Sequence, residues 1–117
     1  MPESIFPLLK GNSILNVAYK YETLLEIKVD PKETLYVGNI KITTDDVTGN
    51  LFINVKINGT PYLTEFPVLN ATTTIGFGRQ LKLTKCDKPL EIKIKKTAAG
   101  ITGTVKASAF VTGIKDD

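Results

Sequence analysis

Leu51-Phe52-Ile53-Asn54-Val55-Lys56-Ile57-Asn58-Gly59 is the stretch that decides the fold. Leu51, Ile53, Val55 and Ile57 fall on one side of an extended chain, with Asn54 and Lys56 on the other. This is the period-two pattern of a half-buried strand. Asn58-Gly59 then closes it, because both central residues of a type I′ hairpin turn need positive φ. The chain returns through Pro61–Phe66, a short strand that its proline moves toward a sheet edge.

The alternation recurs on both sides of this hairpin. Thr23–Val29 sets Leu25, Ile27 and Val29 against Glu26 and Lys28, and Asp30-Pro31-Lys32-Glu33 is a turn with proline fixing φ. In Thr34–Thr43, Leu35 and Val37 share a face, while Ile40 and Ile42 continue one residue out of phase. A β-bulge at Gly38-Asn39 would return them to a common inward face. Leu90–Lys96 sets Leu90, Ile92 and Ile94 against Glu91, Lys93 and Lys95.

Weaker patterns predict a first strand over Ile14–Lys20 and two short strands, Thr74–Phe77 and Gln80–Leu83, around Gly76 and Gly78. The last strand is expected over Ile101–Ile114. Its inward set (Ile101, Gly103, Val105, Ala107, Ala109, Val111) is small, so something bulky or another backbone must approach it closely. No stretch keeps helical periodicity for three turns. The expected fold is therefore all-β: an antiparallel β-sandwich of jelly-roll type, about eight strands, with little or no helix. Residues 13–117 form its single domain, and residues 1–12 an extended apolar arm before it.

Composition narrows the function classes. The 117 residues carry 15 basic and 12 acidic side chains, a net charge of +3, and Arg79 is the single arginine. Nucleic-acid readers rely on arginine for bidentate contacts, so this mild, lysine-based charge weighs against one. There is no histidine and one cysteine, Cys86, which excludes an internal disulfide and the usual zinc ligand sets. No run approaches the ~20 apolar residues that span a bilayer, so no membrane insertion is expected. Met1-Pro2-Glu3-Ser4 lacks the basic region of a signal peptide.

Catalysis finds little to work with. Without histidine, the Ser-His and Cys-His pairs are missing, and Ser4, Ser13 and Ser108 lie outside any GxSxG context. Asp45-Asp46 could bind calcium but reads more simply as turn chemistry. Glu22, Glu26, Glu65 and Glu91 could meet in space as a glycosidase pair, yet on outward strand faces they balance lysines. Gly76-Phe77-Gly78 lacks the helix and the GK[ST] ending of a phosphate loop. The expectation is no enzyme, with no catalytic, cofactor or metal residues.

Two features ask for partners. Ile5-Phe6-Pro7-Leu8-Leu9 is an apolar run ahead of the regular strands, and Phe52 and Phe110 fall on outward strand faces. Ile5, Phe6, Leu8, Leu9, Phe52 and Phe110 are thus the candidate interface for self-association.

Leu25-Glu26-Ile27-Lys28-Val29-Asp30-Pro31-Lys32-Glu33-Thr34-Leu35-Tyr36-Val37 resembles the strand, proline turn and strand of small jelly-roll proteins of viral particles. Pro89–Thr97 followed by Thr102–Gly113 is similar to their closing hairpin. The resemblance implies a virion component (minor capsid, decoration, turret or fibre module) in a symmetric homo-oligomer, with other virion proteins as partners. It implies no catalytic residue. The expected location is then the virion, otherwise the cytoplasm. Two other readings stand beside it. A carbohydrate-binding module would use exposed aromatics, with no Trp to serve and only Tyr19, Tyr21, Tyr36 and Tyr62. A single-strand nucleic-acid binder of OB type would use Lys82, Lys85, Lys93 and Lys95.

Overall fold

The Asn58-Gly59 turn forms as its sequence requires, with φ of 55° and 79°. In the computed structural model the described residues are 5–32, 34–45, 50–86, 88–97 and 105–116, without the side chains of 5–9, 78–80 and 116. They form β1 (Ile5–Ile14), β2 (Glu22–Ile27), β3 (Thr34–Thr44), β4 (Leu51–Ile57), β5 (Thr60–Pro67), β6 (Thr72–Leu83), β7 (Leu90–Lys96) and β8 (Ala107–Asp116). No helix occurs among the described residues.

The strands make two four-stranded antiparallel sheets, ordered β1-β8-β3-β6 and β2-β7-β4-β5. Every strand lies beside its mirror partner in the chain: β1 with β8, β2 with β7, β3 with β6, β4 with β5. One long hairpin with Asn58-Gly59 at its tip, rolled so that successive pairs alternate between sheets, gives this order. It is the jelly roll.

Alternation builds the core. Leu51, Ile53, Val55 and Ile57 of β4 are buried, as are Leu90, Ile92 and Ile94 of β7, and they face Ile40, Ile42, Ala109 and Val111 of the other sheet. The register of β3 shifts between Val37 and Asn39 against both neighbours, so the bulge expected there is present. It does what the sequence demanded: Leu35, Val37, Ile40 and Ile42 are all buried. The close backbone approach expected along the last strand is also found. A Cβ on Gly113 would lie 1.9 Å from the Tyr36 carbonyl oxygen, so only glycine passes beside the bulge.

Other expectations are corrected. Of Ile14–Lys20, only Ile14 belongs to a strand; residues 15–20 cross from one sheet to the other. Their apolar spacing has a different cause. Val17 plugs the sandwich end, donating its N–H to the Val105 carbonyl at 2.9 Å, while Leu15 is 74% exposed. Residues 5–12, expected as an arm, run in β1 and pair with β8, Ile5 opposite Asp116 and Ile14 opposite Ala107. Thr74–Phe77 and Gln80–Leu83 lie in one strand, β6, although its pairing lapses between Gly76 and Leu81. The last strand starts at Ala107; Ile101 and Gly103 lie outside the described residues. In β2 both Leu24 and Leu25 are buried, because a bulge sets an extra residue against β7. Glu91, expected outward, is buried beneath lysines.

Two substitutions test this packing by urea unfolding. Ile53→Ala removes a fully buried side chain and is expected to cost about 2–5 kcal/mol. Gly113→Ala adds one methyl yet is expected to cost roughly 1–3 kcal/mol, since it meets rigid backbone. A neutral Gly113→Ala would contradict the close approach.

Candidate assembly surfaces

A strand at the margin of a sheet presents unpaired N–H and C=O groups, and proteins usually blunt such edges. Here β2 and β5 are the margins of one sheet, β1 and β6 of the other. β5 is blunted by Pro61, by Pro67 and by Glu65, whose φ is 48° and whose N–H turns inward to Asn54 Oδ1 at 2.7 Å. β2 is only six residues long and bulged at Leu24. β6 differs. Thr72-Thr73-Thr74-Ile75-Gly76 pairs with Asn39–Thr43 in unbroken register and contains no charge and no proline. β1 is ten residues long and carries Pro7 and Lys10.

Near β6, Tyr62 and Phe77 pack at 5.5 Å between ring centroids. With Ile57, Pro61 and Leu81 they line an open groove of about 320 Å³ between β5 and β6. At the opposite side the sheets are tied together, because Asn12 Nδ2 donates to the Leu24 carbonyl at 2.9 Å.

The structure splits the candidate interface residues. Ile5, Phe6, Leu8 and Leu9 belong to β1, and their side chains lie outside the described residues. Phe110 is 43% exposed on the outer face of the β1-β8-β3-β6 sheet, opposite Gly11 and Lys41. Phe52 is half-buried on the outer face of the other sheet, opposite Lys95 and Pro67. Phe52 and Phe110 therefore face away from each other and share no patch. The uncharged β6 edge was missed. Its signal, a triple threonine followed by Ile-Gly, is visible in the sequence, but its position at a margin is not.

The carboxylates singled out by sequence are engaged structurally. Glu26 and Glu91 stand opposite each other across β2 and β7. Lys88 Nζ sits between them, 2.7 Å from Glu26 and 3.5 Å from Glu91, with Lys28 and Lys93 at the rim. The hydrogen bond from Lys88 lowers the Glu26 pKa, opposite to what a general acid needs, and raises that of Lys88. Glu22 accepts the Ala18 N–H, and Glu65 pairs with Lys95 at 3.7 Å. Lys95 also lies over the Tyr21 ring, whose buried hydroxyl has its pKa raised by burial and then by Glu65. Asp45 Oδ1 accepts the Lys106 N–H at 2.9 Å; Asp46 lies outside the described residues. Among the described residues no group of three or more His, Cys, Asp or Glu could hold a metal. Cys86 is exposed, with the Thr84 hydroxyl 3.7 Å from its sulfur.

No protein-family model matches the sequence, and no curated protein matches it. Two solved chains match the structure. One comes from work described as "Bacillus endospore appendages form a novel family of disulfide-linked pili". It superposes with a TM-score of 0.47 and 15% identity, over 99% of this chain and 90% of that one.

The Glu26–Lys88 pair sets a pH dependence. Glu26 is lowered, so its stabilising contribution is present above the ordinary carboxylate pKa, about 4, and is lost as pH falls through the folded value. Lys88 is raised, so its contribution is present below the ordinary lysine pKa, about 10, and is lost as pH rises through the folded value. Lys88→Met is expected to shrink both the acid and the alkaline fall in the urea midpoint. Curves parallel to the parent at both extremes would show that the pair is not coupled to folding.

Proposed function

We propose that this chain is a structural subunit, not an enzyme, which assembles with copies of itself by strand addition at the open edge of the β1-β8-β3-β6 sheet. The observation that carries this reading is the uncharged, proline-free edge Thr72–Gly76, set beside margins that are bulged, short or interrupted by proline. An edge of this kind is a template for another strand.

Direction favours β1 of a second copy as the added strand. β1 and β3 both run antiparallel to β8, and β6 runs antiparallel to β3, so β1 and β6 run in opposite senses. A copy placed in the same orientation beside β6 offers β1 antiparallel to it and continues the sheet. Such a contact uses different patches on the two copies, so it propagates into a ring or an open array. A two-fold β6–β6 contact would stop at a dimer.

The finer reading is a component of a viral particle, located in the virion with other virion proteins as partners. The jelly-roll strand order and the resemblance at Leu25–Val37 and Pro89–Gly113 support it.

Sedimentation over a concentration series tests the assembly. The parent chain is expected to form species larger than a dimer. Thr72→Lys with Thr74→Lys places charges on two exposed edge positions and is expected to return it to monomer with its melting temperature kept. A parent that stays monomeric at high concentration, or assembly untouched by the double substitution, would overturn the reading.

A further inference from the structure

The outer face of the β1-β8-β3-β6 sheet has a chemistry that strand addition does not use. Ser13, Ser108, Thr43 and Thr72 stand opposite one another across all four strands. They form a row of hydroxyls set one strand spacing apart, about 4.8 Å, comparable to the repeat of sugar units along an extended glycan. None of these hydroxyls has a hydrogen-bond partner among the described residues. In the next row Gly11, Phe110, Lys41 and Thr74 align in the same way. The Phe110 ring folds over β1: a Cβ on Gly11 would lie 2.7 Å from Phe110 Cδ2. Glycine there leaves the room that the ring edge occupies over β1, half-exposed beside the hydroxyl row.

Three members of the row, Ser13, Ser108 and Thr43, border an open concavity of about 350 Å³ together with Leu15, Asp45 and Lys106. The wall is clamped in place. Lys106 donates its N–H to Asp45 Oδ1 at 2.9 Å, and Thr44 Oγ1 donates to the Lys106 carbonyl at 3.1 Å. Asp45 adds a carboxylate acceptor at the mouth, and Leu15 an apolar side chain left 74% exposed.

Hydroxyls in a row, one flat ring, one carboxylate and a shallow concavity match a ligand with hydroxyls at its edges and C–H bonds on its faces. We infer that this face binds a neutral, extended oligosaccharide, with Phe110 stacking on one sugar and the Ser13–Ser108–Thr43 end of the row, with Asp45, gripping the next. This goes beyond the assembly reading and uses a different surface. A second copy seated face to face is the competing occupant. It fits less well, because a protein interface of useful strength centres on a buried cluster of large anchors, and beside the hydroxyl row the described side chains offer Phe110 and the peripheral Leu15, with the Tyr36–Ile114 pair further along the sheet.

The test is an amide-shift titration of the isotope-labelled chain with cellohexaose and with chitohexaose, each to tens of millimolar. At least one sugar is expected to shift the amides of Ser13, Thr43, Ser108 and Phe110 in a saturable way. Phe110→Ala is expected to weaken that binding about tenfold, roughly one aromatic contact. Gly11→Val, which pushes the ring off the sheet, is expected to do the same while the fold is kept. Absence of shifts with both sugars would overturn the inference, as would binding that both variants retain. So would shifts of Thr43, Ser108 and Phe110, which lie on the interior strands β3 and β8 and not on the margins used in strand addition, on raising protein concentration without sugar; these would assign the face to a second copy.

Discussion

The two-residue turn at Asn58-Gly59 is the constraint on which the rest of the jelly roll depends. It does more than reverse one hairpin. The Asn58 side chain donates to the Lys82 carbonyl at 3.1 Å and accepts the Thr84 N–H at 2.7 Å. The backbone N–H groups of Asn58 and Gly59 donate to the carbonyls of Pro89 and Lys88, at 2.8 and 3.2 Å. One turn thus latches the end of β6 in one sheet and the approach to β7 in the other. The remaining pairs nest outward from it: β3 with β6, β2 with β7, β1 with β8. Each encloses the pair before it, so each closes only the chain added since the last, and loop-closure entropy grows slowly in that order.

Nesting also explains the unequal edges. The innermost pair, β4 with β5, ends at β5 on one margin. The outermost, β1 with β8, ends at β1 on a margin of the other sheet. β5 follows directly from the turn and must stop where the chain crosses to β6, and Pro61, Glu65 and Pro67 suit that short, bent course. β6 has to run the length of β3 and stays straight over Thr72–Gly76. The same topology that produces a long pairing surface for β3 thereby leaves a long free edge on its other side.

How much of this was legible depended on whether local and global demands agreed. β4 and β7 are central in their sheet, buried on the inner face, and their alternation named them directly. The bulge near Gly38 was legible because the apolar phase slipped at a glycine, and the turn because Asn-Gly meets a specific φ requirement. The segment Leu15–Lys20 misled for a physical reason. A plug residue such as Val17, flanked by exposed Leu15, spaces its apolar side chains as a strand does. The bulge in β2 was hidden because Leu24-Leu25 reads as one apolar pair whichever residue is doubled. Glu91 was read as outward by phase. Phase was right about its face and silent about the Lys88 and Lys93 side chains that cover it. Strand order was not legible at all, and with it went the identity of the open edge.

The small residues of β8 tie core and surface together. Ala107 and Ala109 point inward, where Ile42 and Thr44 of the neighbouring β3 supply the bulk, and Gly113 passes within touching distance of the Tyr36 carbonyl. On the outside the same strand carries Ser108 and Thr112 on either side of Phe110, with Ile114 beyond them opposite Tyr36, so the immediate neighbours of Phe110 along the strand are small. Small neighbours on that strand leave the face open around the ring, and Gly11 on β1 makes room for its edge. The choice of alanine and glycine reads at first as a core requirement alone. It sets the shape of the outer face equally, because in a sheet two residues apart share a side and one residue apart share a backbone. Enlarging either set would bend the strand that carries the other.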